Sequence, residues 1–155
     1  MPWWRRAAAG VLVTPPQGLV TNEHGTAAVF SMVLVCEPSA DVTVDLVSSA
    51  PGEGLPTPTS LTFSPTTWDV PQSVTVTGVD DFEVDGDVPY TVILAAATST
   101  DTNYDGLDPA DVSVTNTDND SAGVTVTPTS GLTTTEAGGT ATFTVVLDSQ
   151  PSAAV

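Results

Sequence analysis

Ala28-Val29-Phe30-Ser31-Met32-Val33-Leu34 decides the fold. Ala28, Phe30, Met32 and Leu34 recur with a period of two, which places them on one face of a β-strand. The stretch returns 113 residues later as Ala141-Thr142-Phe143-Thr144-Val145-Val146-Leu147. There Ala141, Phe143, Val145 and Leu147 hold the same face, while Thr142, Thr144 and Asp148 point away from it. Working outward, Ala9–Val42 aligns with Ala122–Val155 without a gap, and 19 of the 34 pairs are identical. A repeat of this length describes whole domains in tandem rather than a solenoid of small units. The expected organisation is one complete repeat over 9–121 and the start of a second over 122–155, with its first two strands only. Two strands cannot close a sandwich, so residues 122–155 are expected to be poorly ordered or packed irregularly. Residues 1–8 fit neither copy and read as a leader or the edge of a fragment. Met1–Val13 imitates a signal peptide, but its apolar part is short and its second half belongs to the repeat.

The same alternation marks seven strands, near 10–20, 26–35, 41–49, 59–65, 72–79, 89–97 and 111–117. Thr, Val, Ser, Pro and Gly dominate the composition, which suits short strands and turns. Breaks are read at Pro51-Gly52, Pro56, Pro65 and Pro71. The fold class is all-β: an immunoglobulin-like, seven-stranded antiparallel β-sandwich plus a truncated second copy.

Charge narrows the function. Asp and Glu number 19 against Arg5, Arg6 and no Lys, a net charge of −17. Such a surface repels nucleic acid and anionic lipid, and it attracts cations. Solubility in a salty medium is the alternative reading. No stretch is long enough to cross a membrane as an apolar helix. Cys36 is the only cysteine, so no disulfide within the chain is expected. In the second copy Cys36 becomes Ser149 and His24 becomes Ala137, so neither side chain recurs. One His, one Cys and two early arginines supply no nucleophile–base pair and no phosphate cradle, and the chain is read as no enzyme.

Strand parity then gathers the acids. If successive strands alternate in direction, the first, third, fifth and seventh finish at one end. The loops there carry Glu23, Glu53, the run Asp80-Asp81-Phe82-Glu83-Val84-Asp85-Gly86-Asp87, and Asp118-Asn119-Asp120. Like charges held together need neutralising. Calcium suits them, because it takes six to eight oxygens in flexible geometry, whereas magnesium keeps its water and transition metals prefer His or Cys. A solvated acidic rim is the alternative.

Glu23-His24-Gly25, Phe30–Leu34, Val74-Thr75-Val76-Thr77-Gly78-Val79-Asp80-Asp81, the acidic run to Asp87 with Tyr90 after it, and Val112–Asp120 together resemble a Calx-beta domain. That family occurs in sodium–calcium exchangers and in bacterial secreted and surface proteins. The resemblance spans residues 9–120. It implies calcium ligands at Glu23, Asp80, Asp81, Asp85, Asp118 and Asp120, with Glu53, Glu83 and Asp87 as further candidates. Val88 stands where the family often has an acid, and Asn119 interrupts its usual Asp-Asp-Asp. Ser48–Gly54 replaces its Gly-Ser-Asp-Tyr stretch, leaving Glu53 as the substitute. Fewer carboxylates imply fewer ions or weaker binding.

A second candidate, Asp101-Thr102-Asn103-Tyr104-Asp105-Gly106, spaces Asp101, Asn103 and Asp105 as in a calcium loop but lacks the acid that closes such a loop. An Asx-turn-rich loop explains it as well. Trp68 reads as a cap on the sandwich edge, with a sugar-stacking platform as the alternative. The expected function is a calcium-binding extracellular repeat that rigidifies a long secreted or cell-surface, adhesin-like protein. Its partners would be neighbouring repeats, with a glycan or protein ligand reached through other domains. A calcium-independent spacer, or adhesion through the loops, is the alternative.

Overall fold

The computed structural model describes residues 8–155, so the leader segment falls almost wholly outside it. Ten strands build two facing sheets: β1 Val11–Thr14, β2 Leu19–Asn22, β3 Ala27–Leu34, β4 Val42–Ser48, β5 Gly54–Thr57, β6 Ser60–Phe63, β7 Gln72–Gly78, β8 Val88–Leu94, β9 Thr98–Ser99 and β10 Val112–Thr117. One sheet runs β1-β3-β7-β5, and the other runs β2-β10-β8-β4-β6 with β9 beside β4. All-β architecture and sandwich layering are as the alternation predicts.

Alternation also sets the core. Phe30, Met32 and Leu34 of β3 are buried with Val74 and Val76 of β7. Val42, Val44 and Leu46 of β4, Tyr90, Val92 and Leu94 of β8, and Val112 and Val114 of β10 belong to the same cluster. Each such aliphatic or Phe side chain contributes roughly 1.5–3 kcal/mol on leaving water. Trp68 packs half-buried against this cluster, and its carbonyl accepts the Leu34 N–H at 3.1 Å. That is the edge-cap position.

Seven expected strands become ten because one is cut and two are added. The expected strand 10–20 divides at Pro15-Pro16-Gln17-Gly18. Proline offers no N–H to the ladder, and Gly18 turns the chain with φ of 79°. β1 pairs with β3, and β2 crosses to the other sheet to lie parallel to β10. It is the one parallel pairing in an otherwise antiparallel pattern of named strands. The expected strand 59–65 is β6, and β5 is an additional strand just before it, in the other sheet. Pro56, read as a breaker, sits inside β5. β5 is an edge strand with β7 on one side only, so the open side tolerates a missing donor. The two-residue β9 was too short to show a period.

The parity argument holds. β4 and β10 both run against β8, β2 runs with β10, and β7 runs against β3 as β1 does. The C-terminal ends of β2, β4, β7 and β10 therefore share one pole.

In the second copy, β11 Val124–Thr127 pairs with β12 Thr144–Leu147. Its register, Val124 opposite Leu147, is that of Val11 opposite Leu34 shifted by 113 residues. The pairing is regular, yet the face is bare: Phe143 is 58 % exposed where Phe30 is 1 % exposed.

Candidate metal centre

Glu23 enters the pole by the period of two. Leu19, Thr21 and Glu23 succeed one another on the inward side, and Glu23 is only 2 % exposed. Its main-chain N–H extends the β2–β10 pairing to the Thr117 carbonyl at 3.3 Å, and its Oε2 accepts the Asn119 N–H at 2.9 Å. Beyond β10, Asp118 closes an Asx turn: its Oδ1 accepts the Asp120 N–H at 2.6 Å. Its Oδ2 accepts the Gly86 N–H at 2.8 Å, tying the β7–β8 loop to the exit from β10. Within that loop Asp81 Oδ1 accepts the Glu83 N–H at 2.7 Å.

Six carboxylates from four chain segments converge. Glu23, Asp81 and Asp120 offer oxygens all within 4.8 Å of one another. So do Glu23, Asp85 and Asp118, and so do Glu53, Asp81 and Asp85. Glu23, Asp81 and Asp85 each serve two groups, so the groups are contiguous. Asp80, Glu83 and Asp87 lie outside them. Asp80 Oδ1 accepts from Asn119 Nδ2 at 3.5 Å, Asp87 Oδ1 accepts the Asp118 N–H at 3.3 Å, and Glu83 faces Gln150.

Electrostatics sets three of the six apart. Burial pushes the Glu23 pKa up against the pull of its Asn119 hydrogen bond, and Asp118, Asp81 and Asp120 push it further. Desolvation and then the charges of Asp118, Asp80 and Asp81 raise Asp120. Asp118 moves down, held by the N–H groups of Asp120 and Gly86. The Oδ2 atom of Asp120 is buried with no hydrogen-bond partner. An acceptor shut away without a donor is costly. The donor set is all oxygen, clustered, and short of positive charge, which fits a hard divalent cation such as calcium.

Sequence reading missed the scaffold below the acids. Asn116, the inward residue after Val112 and Val114, is buried. It accepts from Thr21 Oγ1 at 2.9 Å and donates to the Val79 carbonyl at 3.2 Å and to Glu53 Oε2 at 3.3 Å. Tyr90 joins through Thr21 at 3.2 Å. Gly78 packs so closely that a Cβ there would lie 2.2 Å from the Asn22 carbonyl oxygen. The signal was an Asn on an apolar face and a Gly ending a strand.

The second candidate loop is built differently. Asp101 is buried, and its carboxylate accepts the Ser39 N–H at 2.8 Å and the Asn103 N–H at 2.9 Å. Those bonds pull its pKa down to about 2. Asp105 accepts the Ser99 N–H at 3.2 Å. Asn103 donates its side-chain amide to Asp101 rather than offering an oxygen to the same point. The geometry is that of an Asx-turn loop, pinned further by the buried Tyr104, whose hydroxyl bonds the main chain of Cys36.

No protein-family model and no curated protein sequence matches the chain. Solved structures do. The apo Calx CBD1 domain aligns with a TM-score of 0.54 and 16% identity, over 74% of this chain and 98% of that one. The sandwich is similar in fold to this domain. The calcium binding domain CBD12 of CALX1.1 aligns with a TM-score of 0.55 and 18% identity, over 76% of this chain and 50% of that one. The CsuC–CsuE chaperone–tip adhesion subunit complex of Acinetobacter baumannii aligns at 0.51 and 10% identity, over 71% of this chain and 57% of that one. Identities this low speak for fold alone.

Proposed function

We propose that residues 9–120 are a calcium-binding, non-enzymatic module of an extracellular tandem array, held by Glu23, Glu53, Asp81, Asp85, Asp118 and Asp120. The observation that carries this reading is the buried, unpartnered Oδ2 of Asp120 beside Glu23 and Asp81, which a divalent cation would satisfy. Calcium's role here is structural: it neutralises the pole and joins the β7–β8 loop to the ends of β2 and β10. The Calx-beta resemblance of the sequence and the fold shared with Calx CBD domains support the choice of ion. Carboxylates dominate the site, with His24 the basic group near Asp120, a set suited to holding a cation rather than to nucleophile–base chemistry, which supports a module rather than an enzyme. The repeat supports neighbouring modules as partners, and the absence of Lys argues against nucleic acid or anionic membranes. A cell-surface or secreted setting supplies calcium at the roughly 0.1 to 1 mM that weak modules need. Titration calorimetry of the full chain tests the reading. Calcium should bind, magnesium should not compete at equal concentration, and Asp81→Asn should weaken binding at least about tenfold, the loss expected from one charged ligand. An absence of calcium heat and of any calcium-dependent melt would refute it and leave the spacer reading.

A further inference from the structure

The acidic β7–β8 loop makes a second set of contacts, on atoms outside the three oxygen groups. Gln150, just after β12, donates its main-chain N–H to the Phe82 carbonyl at 2.6 Å. Its Nε2 donates to Glu83 Oε1 at 2.9 Å, and Glu83 and Gln150 form a parallel β-bridge. The amide is what makes this contact compatible with charge, because it donates to a carboxylate where another carboxylate would repel it. The 113-residue shift puts Glu37 at the position of Gln150, Cys36 at Ser149 and Ala9 at Ala122. Ala122, Ser149 and Gln150 line the cleft against Glu83, Val84 and Asp85. Ala9, Cys36 and Glu37 line the matching cleft of the first copy, where Asp101 joins them. The same corner thus presents an amide donor in one copy and a carboxylate in the other.

We infer that the β7–β8 loop is a docking element for the corner of a following copy, and that the residue at position 150 selects the copy it docks on. Gln there accepts the acidic loop. Glu, as at position 37, refuses it by like-charge repulsion. The partner that fits is a copy of this module carrying an amide at that place. Cation binding is not required, since Phe82 O and Glu83 Oε1 belong to none of the oxygen groups.

Amide hydrogen exchange on the full chain tests it, with the amides of β8 as the control that the sandwich is intact. In Gln150→Glu the amide at position 150 should exchange about tenfold faster, as expected for one lost charge-assisted hydrogen bond. Adding Glu83→Gln should restore the slow rate, because the donor and acceptor then exchange sides. Unchanged exchange in the single variant would overturn the inference. So would faster exchange that the second substitution leaves unrepaired, since position 150 would then matter only to the local turn. Neither outcome bears on calcium binding, which calorimetry reads separately.

Discussion

The two Asp120 oxygens are not alike: Oδ2 is cut off from solvent and has no donor. Desolvation and neighbouring acids raise the pKa of this residue and of Glu23. A carboxyl with a raised folded pKa binds more protons folded than unfolded, so it subtracts stability as pH rises through that window. Without calcium, the melting temperature should therefore rise as pH falls from 7 towards the ordinary Glu value of 4.5. With calcium in excess the sign should reverse, because protons then compete with the ion. Scans at several pH values in EGTA and in calcium check both slopes. Asp120→Asn removes the charge and keeps the shape. It should raise the melting temperature in EGTA and cut the gain from calcium, and a lowered melt in EGTA would contradict the buried-charge account. Gly78→Ala tests the scaffold, with its Cβ forced to 2.2 Å from the Asn22 carbonyl oxygen and 2.7 Å from Asn116 Oδ1. Overpacking of that kind costs roughly 1–3 kcal/mol in urea unfolding. Glu23 was legible in sequence because strand parity put the loop that carries it at the acidic pole. Asn116 was not, because a period of two says which side a residue takes and not what it bonds.

Between elements, two loops rich in Asp use their carboxylates differently. In the β9–β10 loop, main-chain N–H groups of Ser39 and Asn103 satisfy Asp101 and hold it ionised, with its pKa at about 2. A depressed carboxylate adds stability above its unfolded pKa and loses it as pH falls through the folded one. Asp101→Ala should lower the melt at pH 7 and flatten the acid loss between about pH 4 and pH 2. It should also speed exchange at the Ser39 and Asn103 amides. The β7–β8 loop has few such donors for Asp85 and Asp81, and its charges face one another across the pole. The spacing Asp-x-Asn-x-Asp could not separate these cases, because an Asx turn and a metal ligand use the same oxygen. The division of β1 from β2 was likewise hidden. The crossing moves the strand between sheets without changing which side chains point inward, so the alternation continues through it.

At the scale of the molecule, parity alone was enough to gather Glu23, Glu53, Asp81, Asp85, Asp118 and Asp120 from loops up to 97 residues apart in the chain. Direction follows from counting strands, and a cut strand counts once because both its pieces run the same way. The finer choice among the acids needed coordinates, since Asp80 and Asp81 are equal in sequence and only Asp81 reaches the groups. The central claim is that a cation completes this pole. The most direct measurement is a thermal melt of the full chain in EGTA and then in about 5 mM calcium, above the weak range for extracellular modules. A site of about 0.1 mM affinity gives roughly 2 kcal/mol and a rise of several degrees. The account predicts that rise, its absence with magnesium and its loss in Asp81→Asn. An unchanged melt would contradict it and leave an acidic spacer.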